Sequence, residues 1–208
     1  MNNCGIGKLI TLEGPEGAGK TTQSEALLQW LVKAGYNPVV TREPGGTDLG
    51  RRIRHMLLDA GSDITDKAEI LLYAADRAQH VEKVIIPALR QGRIVLCDRY
   101  IDSTTAYQGY ARGLGTEFVE QVNRIATGGL VPDLTLIYDI PPDKGIARKK
   151  SSLDRLEQED LEFHRLVREG YLMIARREPS RVKVINALND IETVTRESVE
   201  AVKTLLRG

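Results

Sequence analysis

The sequence predicts an α/β fold of three layers, a five-stranded parallel sheet flanked by helices. Three observations carry this. Short β-branched runs recur along the chain, longer segments of helical spacing lie between them, and the runs are almost continuously apolar rather than alternating. Strands covered on both faces have that composition, and strands separated by helical crossovers pair in parallel.

The first run, Lys8 to Leu12, leads directly into a glycine-rich segment. Leu27, Leu28, Leu31 and Val32 then make an apolar stripe at helical spacing. The second run, Pro38 to Thr41, precedes a stripe of Leu49, Ile53, Met56 and Leu57. A longer stripe carries Leu71, Ala74, Ala78, Val81, Ile85 and Ala88. The third run, Ile94 to Cys97, stops at Asp98, and the fourth and fifth are Leu134 to Tyr138 and Val182 to Ile185. No repeat or low-complexity linker divides the chain, so residues 1–208 are expected to form one domain. Ligands on such sheets bind beyond the carboxyl ends of the strands, which is where the unusual residues of this sequence collect.

Bulk composition limits the partners. The chain is 41% hydrophobic and 28% charged with a formal net charge of +0, which argues against a nucleic acid or membrane held by bulk electrostatics. An anion site must therefore be local. Cys4 and Cys97 form neither a disulfide framework nor a metal-ligand spacing, and Cys97 reads as a buried thiol in an apolar run. No N-terminal apolar stretch has signal-peptide or membrane-spanning length, and a cytoplasmic location is the expectation.

The chemistry starts at Gly14-Pro15-Glu16-Gly17-Ala18-Gly19-Lys20-Thr21, which satisfies the Walker A pattern between an apolar strand and an amphipathic helix. The fold is thereby a P-loop NTPase fold. Glycines let the backbone curl so that its N–H groups point at phosphate oxygens, and the helix adds its positive end. Lys20 is placed to reach the β- and γ-phosphates of ATP, and the Thr21 hydroxyl to ligate Mg²⁺. Asp98, closing an apolar strand, fits a Walker B carboxylate in the same magnesium shell, and Arg99 beside it can grip phosphate through its planar fork. A surface ion pair at a strand end is the alternative for these two. The cation-rich stretch from Arg148 to Arg155, within a segment of about 145–157, would alone more often be a solvated loop, but paired with a P-loop that has no cation before Lys20 it suits a lid that closes over ATP and excludes water.

Taken together, the motifs resemble the thymidylate kinases, in bacterial form, within the nucleoside monophosphate kinases. They are Glu13 through Thr22, Thr41-Arg42-Glu43-Pro44-Gly45-Gly46-Thr47, Asp98-Arg99-Tyr100 with Ala106-Tyr107-Gln108-Gly109, Pro132-Asp133-Leu134-Thr135, and Asp154-Arg155-Leu156-Glu157. The resemblance covers essentially the whole chain. It implies phosphorylation of dTMP to dTDP with ATP and Mg²⁺, a step toward dTTP, by a homodimer. It extends the cradle to Thr22 and gives Glu16 the 3′-hydroxyl of the acceptor sugar. Tyr73, where the family usually has Phe, stacks on the base while Arg77 bonds its exocyclic oxygen. Thr104 and Gln108 reach the polar edge of the base, and Arg54 and Arg99 hold the acceptor phosphate. A cis peptide at Glu43–Pro44 is also implied. From spacing alone, Tyr73 and Arg77 suit a plain helix surface, and Arg54, near Arg51 and Arg52, suits a solvated face.

No catalytic base is needed, since a phosphate monoester with a second pKa near ~6 is already ionised at neutral pH. Alignment and charge neutralisation remain, from Lys20, Arg99 and the lid cations Arg148 and Arg155. The competing readings are a kinase for another nucleoside monophosphate or a deoxynucleoside, and a P-loop regulatory protein without an acceptor site.

Overall fold

The protein is described by a computed structural model over residues 7–148 and 154–207. Lys149 to Leu153 of the expected lid, and Cys4, lie outside the described residues. In chain order the strands are β1 (Lys8–Glu13), β2 (Val39–Arg42), β3 (Ile94–Asp98), β4 (Leu134–Asp139) and β5 (Val182–Asn186). All five expected runs form strands. They pair in parallel in the order β2-β3-β1-β4-β5, with Leu9 opposite Val95 and Ile10 opposite Leu134. From β1 the chain thus passes first to one side of the sheet and later to the other. A crevice opens where such an order reverses, at the carboxyl ends of the strands.

The helices are α1 (Lys20–Lys33), α2 (Asp48–Leu58), α3 (Asp66–His80), α4 (Ile86–Arg90), α5 (Ile101–Thr104), α6 (Thr116–Thr127), α7 (Pro142–Ala147), α8 (Leu161–Arg177) and α9 (Ile191–Arg207). A π-helical turn, Val81–Ile85, links α3 to α4, and a π-helical segment, Thr105–Ala111, extends α5. The expected long helical stripe is therefore wound differently in its middle. Pro87 has no N–H to give and its ring crowds the carbonyl four residues back, so the preceding turn widens. Among the described residues no helix is long and apolar enough to cross a membrane.

Period-two side chains divide the core between the faces of the sheet. Ile10, Leu12, Leu96 and Leu136 meet Leu27 and Leu31 of α1 and Val194 and Val202 of α9. Leu9, Val95 and Cys97 turn the other way, onto Val81 and Ile85, while Ile137 meets Val167 and Tyr171 of α8. Each such side chain contributes about 1.5–3 kcal/mol by leaving water. Cys97 is buried, as its apolar run predicts.

Two readings need correction. Continuous burial holds for β1, β3 and β4, but β2 and β5 are edge strands with open residues, Val40 and Val184 among them. The helical stripes are only partly core. Ile53 and Leu57 are buried, whereas Leu49, Met56, Leu71 and Val32 face outward.

Candidate functional site

A cavity of about 470 Å³ opens beyond the carboxyl ends of β1, β2 and β3. Its donor side is the loop between β1 and α1. The backbone is left-handed at Gly17, with φ of 70°, and a Cβ there would stand 2.0 Å from the Gly145 carbonyl oxygen, so only glycine fits against α7. Helix α1 starts without a side-chain cap and without an acidic residue in its first turn. Its first amides are left for an anion.

Lys20 folds back over this loop and donates to the carbonyls of Gly14 and Pro15 at 2.9 Å each. Burial, and then the charge of Arg99, lower its pKa to about 8. Ala18, though buried, and Thr21 line the cavity, and Thr22, though exposed, lies outside the lining. Asp98 lines the same space, and its Oδ1 is buried without a hydrogen-bond partner. Arg148 lines the donor side, donating to the carbonyls of Ala187 at 3.1 Å and Gly17 at 3.4 Å.

The acceptor side is built around Arg99. Among the described residues it is the one non-glycine with positive φ, 69°, a conformation held only where the surroundings over-determine it. They do. The guanidinium pairs with Glu16, donates to Ser103 Oγ at 3.2 Å and to the Tyr171 hydroxyl at 3.3 Å, and lies 5.2 Å from the centre of the Tyr107 ring. Behind it, buried Glu13 accepts from the Tyr100 amide at 2.7 Å, Ser103 at 2.5 Å and Tyr171 at 3.0 Å. Burial, with Asp102 adding to it, raises Glu13 to about 7. Arg54 donates to the Pro44 carbonyl at 3.2 Å, next to a cis Glu43–Pro44 bond; burial and Arg42 lower its pKa. Lys20, Arg42, Arg54, Arg99 and Arg148 all line one cavity. That wall is made for anions.

Beyond the cations, Tyr73, Arg77, Thr104 and Gln108 line the same space. Arg77 is 1% exposed, and its guanidinium donates to Glu43 at 2.8 Å, Asn123 at 2.6 Å and the Tyr100 carbonyl at 3.0 Å. A guanidinium carries five N–H groups, so two remain for a ligand. Gln108 donates through Nε2 to Glu69 at 2.7 Å.

Arg155 stands apart from the role its sequence position suggests. It donates to the Leu57 carbonyl at 2.9 Å and pairs with Glu69, and it does not line the cavity. The structure also brings in residues that the sequence reading did not select. Ser103 and Tyr107 follow Arg99 at successive intervals of four and lie in the helical stretch that opens at Ile101, two residues after it. Tyr171, 72 residues from Arg99, and Glu13 left no comparable signal.

Fold and site together define a nucleoside monophosphate kinase, a transferase of the P-loop class. The thymidylate kinase family pattern matches residues 12–198. The thymidylate kinase of Desulfosudis oleivorans is 50% identical over 204 residues, covering 93% of this chain and 95% of that one. That of Synechococcus sp. (strain JA-2-3B'a(2-13)) is 57% identical over 178 residues, 86% of this chain and 85% of its own. The crystal structure of thymidylate kinase from Ehrlichia chaffeensis superposes with a TM-score of 0.81 at 37% identity, over 96% of this chain and 100% of the other. The chain belongs to the thymidylate kinase family.

Proposed function

We propose that the chain transfers the terminal phosphoryl group of ATP to dTMP, forming dTDP in the supply of dTTP. One observation carries the reading: a phosphate cradle with its Lys20 and a second cationic wall, Arg54 and Arg99, face a single cavity. A regulatory P-loop protein has no need of the second wall.

In this mechanism the acceptor phosphate lies against Arg54 and Arg99, already ionised and in need of no base. Lys20 exchanges the Gly14 and Pro15 carbonyls for donor phosphate oxygens, and the α1 amides hold the rest of the chain of phosphates. Arg148 adds charge from the donor side. Thr21 and Asp98 would hold Mg²⁺, and the orphaned Oδ1 of Asp98 suits an oxygen-seeking cation. Held there, the ion would supply positive charge to offset that of the donor phosphates. At the base, Tyr73 stacks and a spare Arg77 N–H meets the exocyclic oxygen, with Thr104 and Gln108 at the polar edge. Glu16, between the two walls, receives the sugar 3′-hydroxyl. We give Arg155 a donor contact only in a closed form, because here it holds Glu69.

The same reading treats residues 1–208 as one domain with a lid at about 145–157, working in the cytoplasm on free nucleotides. It also joins two copies. Leu49 and Met56 of α2, Leu71 of α3, and Phe118 and Ile125 of α6 expose apolar surface on neighbouring helices. Patches of that kind mark interfaces.

Initial rates with dTMP, dUMP, dGMP, AMP, CMP and thymidine, each with ATP and magnesium, test the assignment. The expected outcome is a clear preference for dTMP; preference for any other acceptor ends it.

A further inference from the structure

Glu69 is completely buried on α3, yet it is not a lining residue of the cavity. Its Oε1 accepts from Gln108 Nε2 at 2.7 Å. Its Oε2 takes Arg155 and, at 3.3 Å, Arg112. Burial alone would raise its pKa, but the bonds from Gln108, Arg155 and Arg112 outweigh burial and hold it below the usual carboxylate value. Glu69 is therefore an anion, and an ionised carboxylate only accepts.

A glutamine amide is two-faced. Turned one way it offers a carbonyl oxygen, turned the other it offers N–H groups, and the two are distinguished by what surrounds them. Gln108 is 1% exposed, lines the cavity and has committed its NH₂ end to Glu69. The carbonyl end is what remains. Reversing the amide would set a carbonyl oxygen against a carboxylate in a buried site, which is repulsive and leaves the Gln108 oxygen without a donor, whereas Glu69 Oε1 would keep only the longer bond from Arg112 Nε at 3.4 Å.

We infer that Glu69 is a positioning residue for base selection: by capturing the Gln108 amide it fixes Gln108 Oε1 as the group offered to the base, selecting pyrimidines that carry a proton on N3. Thymine and uracil have that proton, whereas cytosine has a lone pair there. A carbonyl oxygen facing the lone pair is an unpaired acceptor against an acceptor, the kind of mismatch that discriminates far more strongly than a missing methyl. Glu69 thus selects against cytosine without touching the base, while Arg112 and Arg155 keep it charged. The inference rests on the proposed base pocket and adds to it the device that sets the pocket's hydrogen-bond polarity.

The test compares dUMP with dCMP, neither of which has the 5-methyl, through the ratio of their kcat/KM values. The wild-type protein should favour dUMP strongly; parity overturns the inference and needs no variant. In Glu69→Gln the neighbour can donate as well as accept, so Gln108 is free to turn. The dUMP-to-dCMP ratio should fall by about tenfold or more. Glu69→Asp keeps the charge for Arg112 and Arg155 but withdraws the carboxylate from Nε2, and should lower the ratio less. A residue acting only on stability would slow both substrates alike, so an unchanged ratio in both variants overturns the inference. Turnover of dTMP by the wild type separates the two ideas. Loss of dTMP activity defeats the proposed function, whereas normal dTMP activity without the ratio change defeats only the role of Glu69.

Discussion

Glu13 closes β1 with its carboxylate wholly enclosed, and Asp76, also fully buried, has an Oδ2 without a partner. Burial raises Glu13 from 4.5 to about 7, and burial with the charge of Glu43 raises Asp76 from 3.8 to about 6. Each group binds its proton more tightly in the folded state. Their contribution to stability is present below the unfolded values and is lost as pH rises through the folded ones. For Glu13 the full span corresponds to about 3 kcal/mol between pH 4.5 and 7. Compared by urea unfolding across that range, the wild type should lose stability with rising pH relative to Glu13→Gln. An unaltered slope would contradict the assignment. At this scale the sequence was legible where a motif encodes backbone: Lys20, Thr21 and Asp98 all meet in the cavity. It was not legible where a partner comes from a distant helix. Nothing near Arg155 says that Glu69 will claim it, because a cation's type does not name its counter-ion.

Gly170 shows how helix packing reaches the site. α8 runs so close to the π-helical segment that a Cβ at Gly170 would lie 3.0 Å from Ala106 Cα and 3.1 Å from Tyr110 Cβ. The segment carries Tyr107 and Gln108. Gly170→Ala gains up to about 1 kcal/mol of helix propensity but costs about 1–3 kcal/mol in overpacking. Because one of the crowded atoms is backbone, the cost should win. The expected result is a lower melting temperature together with a KM for dTMP that rises more than the KM for ATP; equal changes in both would mean the segment does not transmit the strain. The five strands were readable because apolar runs between helical crossovers admit few other folds. The π-helical turns were not, since their cause lies in local crowding rather than in periodicity. Nor could the stripes tell core from interface. The spacing of Ile53, Met56 and Leu57 fits either, and only the packing of α2 on α3 shows Ile53 inside and Met56 outside.

At the scale of the whole molecule, the outward residues of α2, α3 and α6 predict a two-fold assembly, in which one patch meets its own copy. Ile125 is 84% exposed and belongs to it. Ile125→Glu would set like charges against each other across the proposed two-fold axis, so sedimentation should show a dimer for the wild type and monomers for the variant. A variant that still sediments as a dimer would place the contact elsewhere. The distribution of charge has a different consequence. Six cations and five carboxylates line one concavity of a chain whose formal net charge is +0, so any attraction for nucleotides is short-ranged. At physiological ionic strength it fades over about 8 Å. Nucleotides should arrive by ordinary diffusion, with little guidance from afar, and be retained only once inside. Added salt should then shorten residence far more than it slows capture, which stopped-flow traces at graded ionic strength can separate; a steep fall in the association rate would show a longer-ranged field.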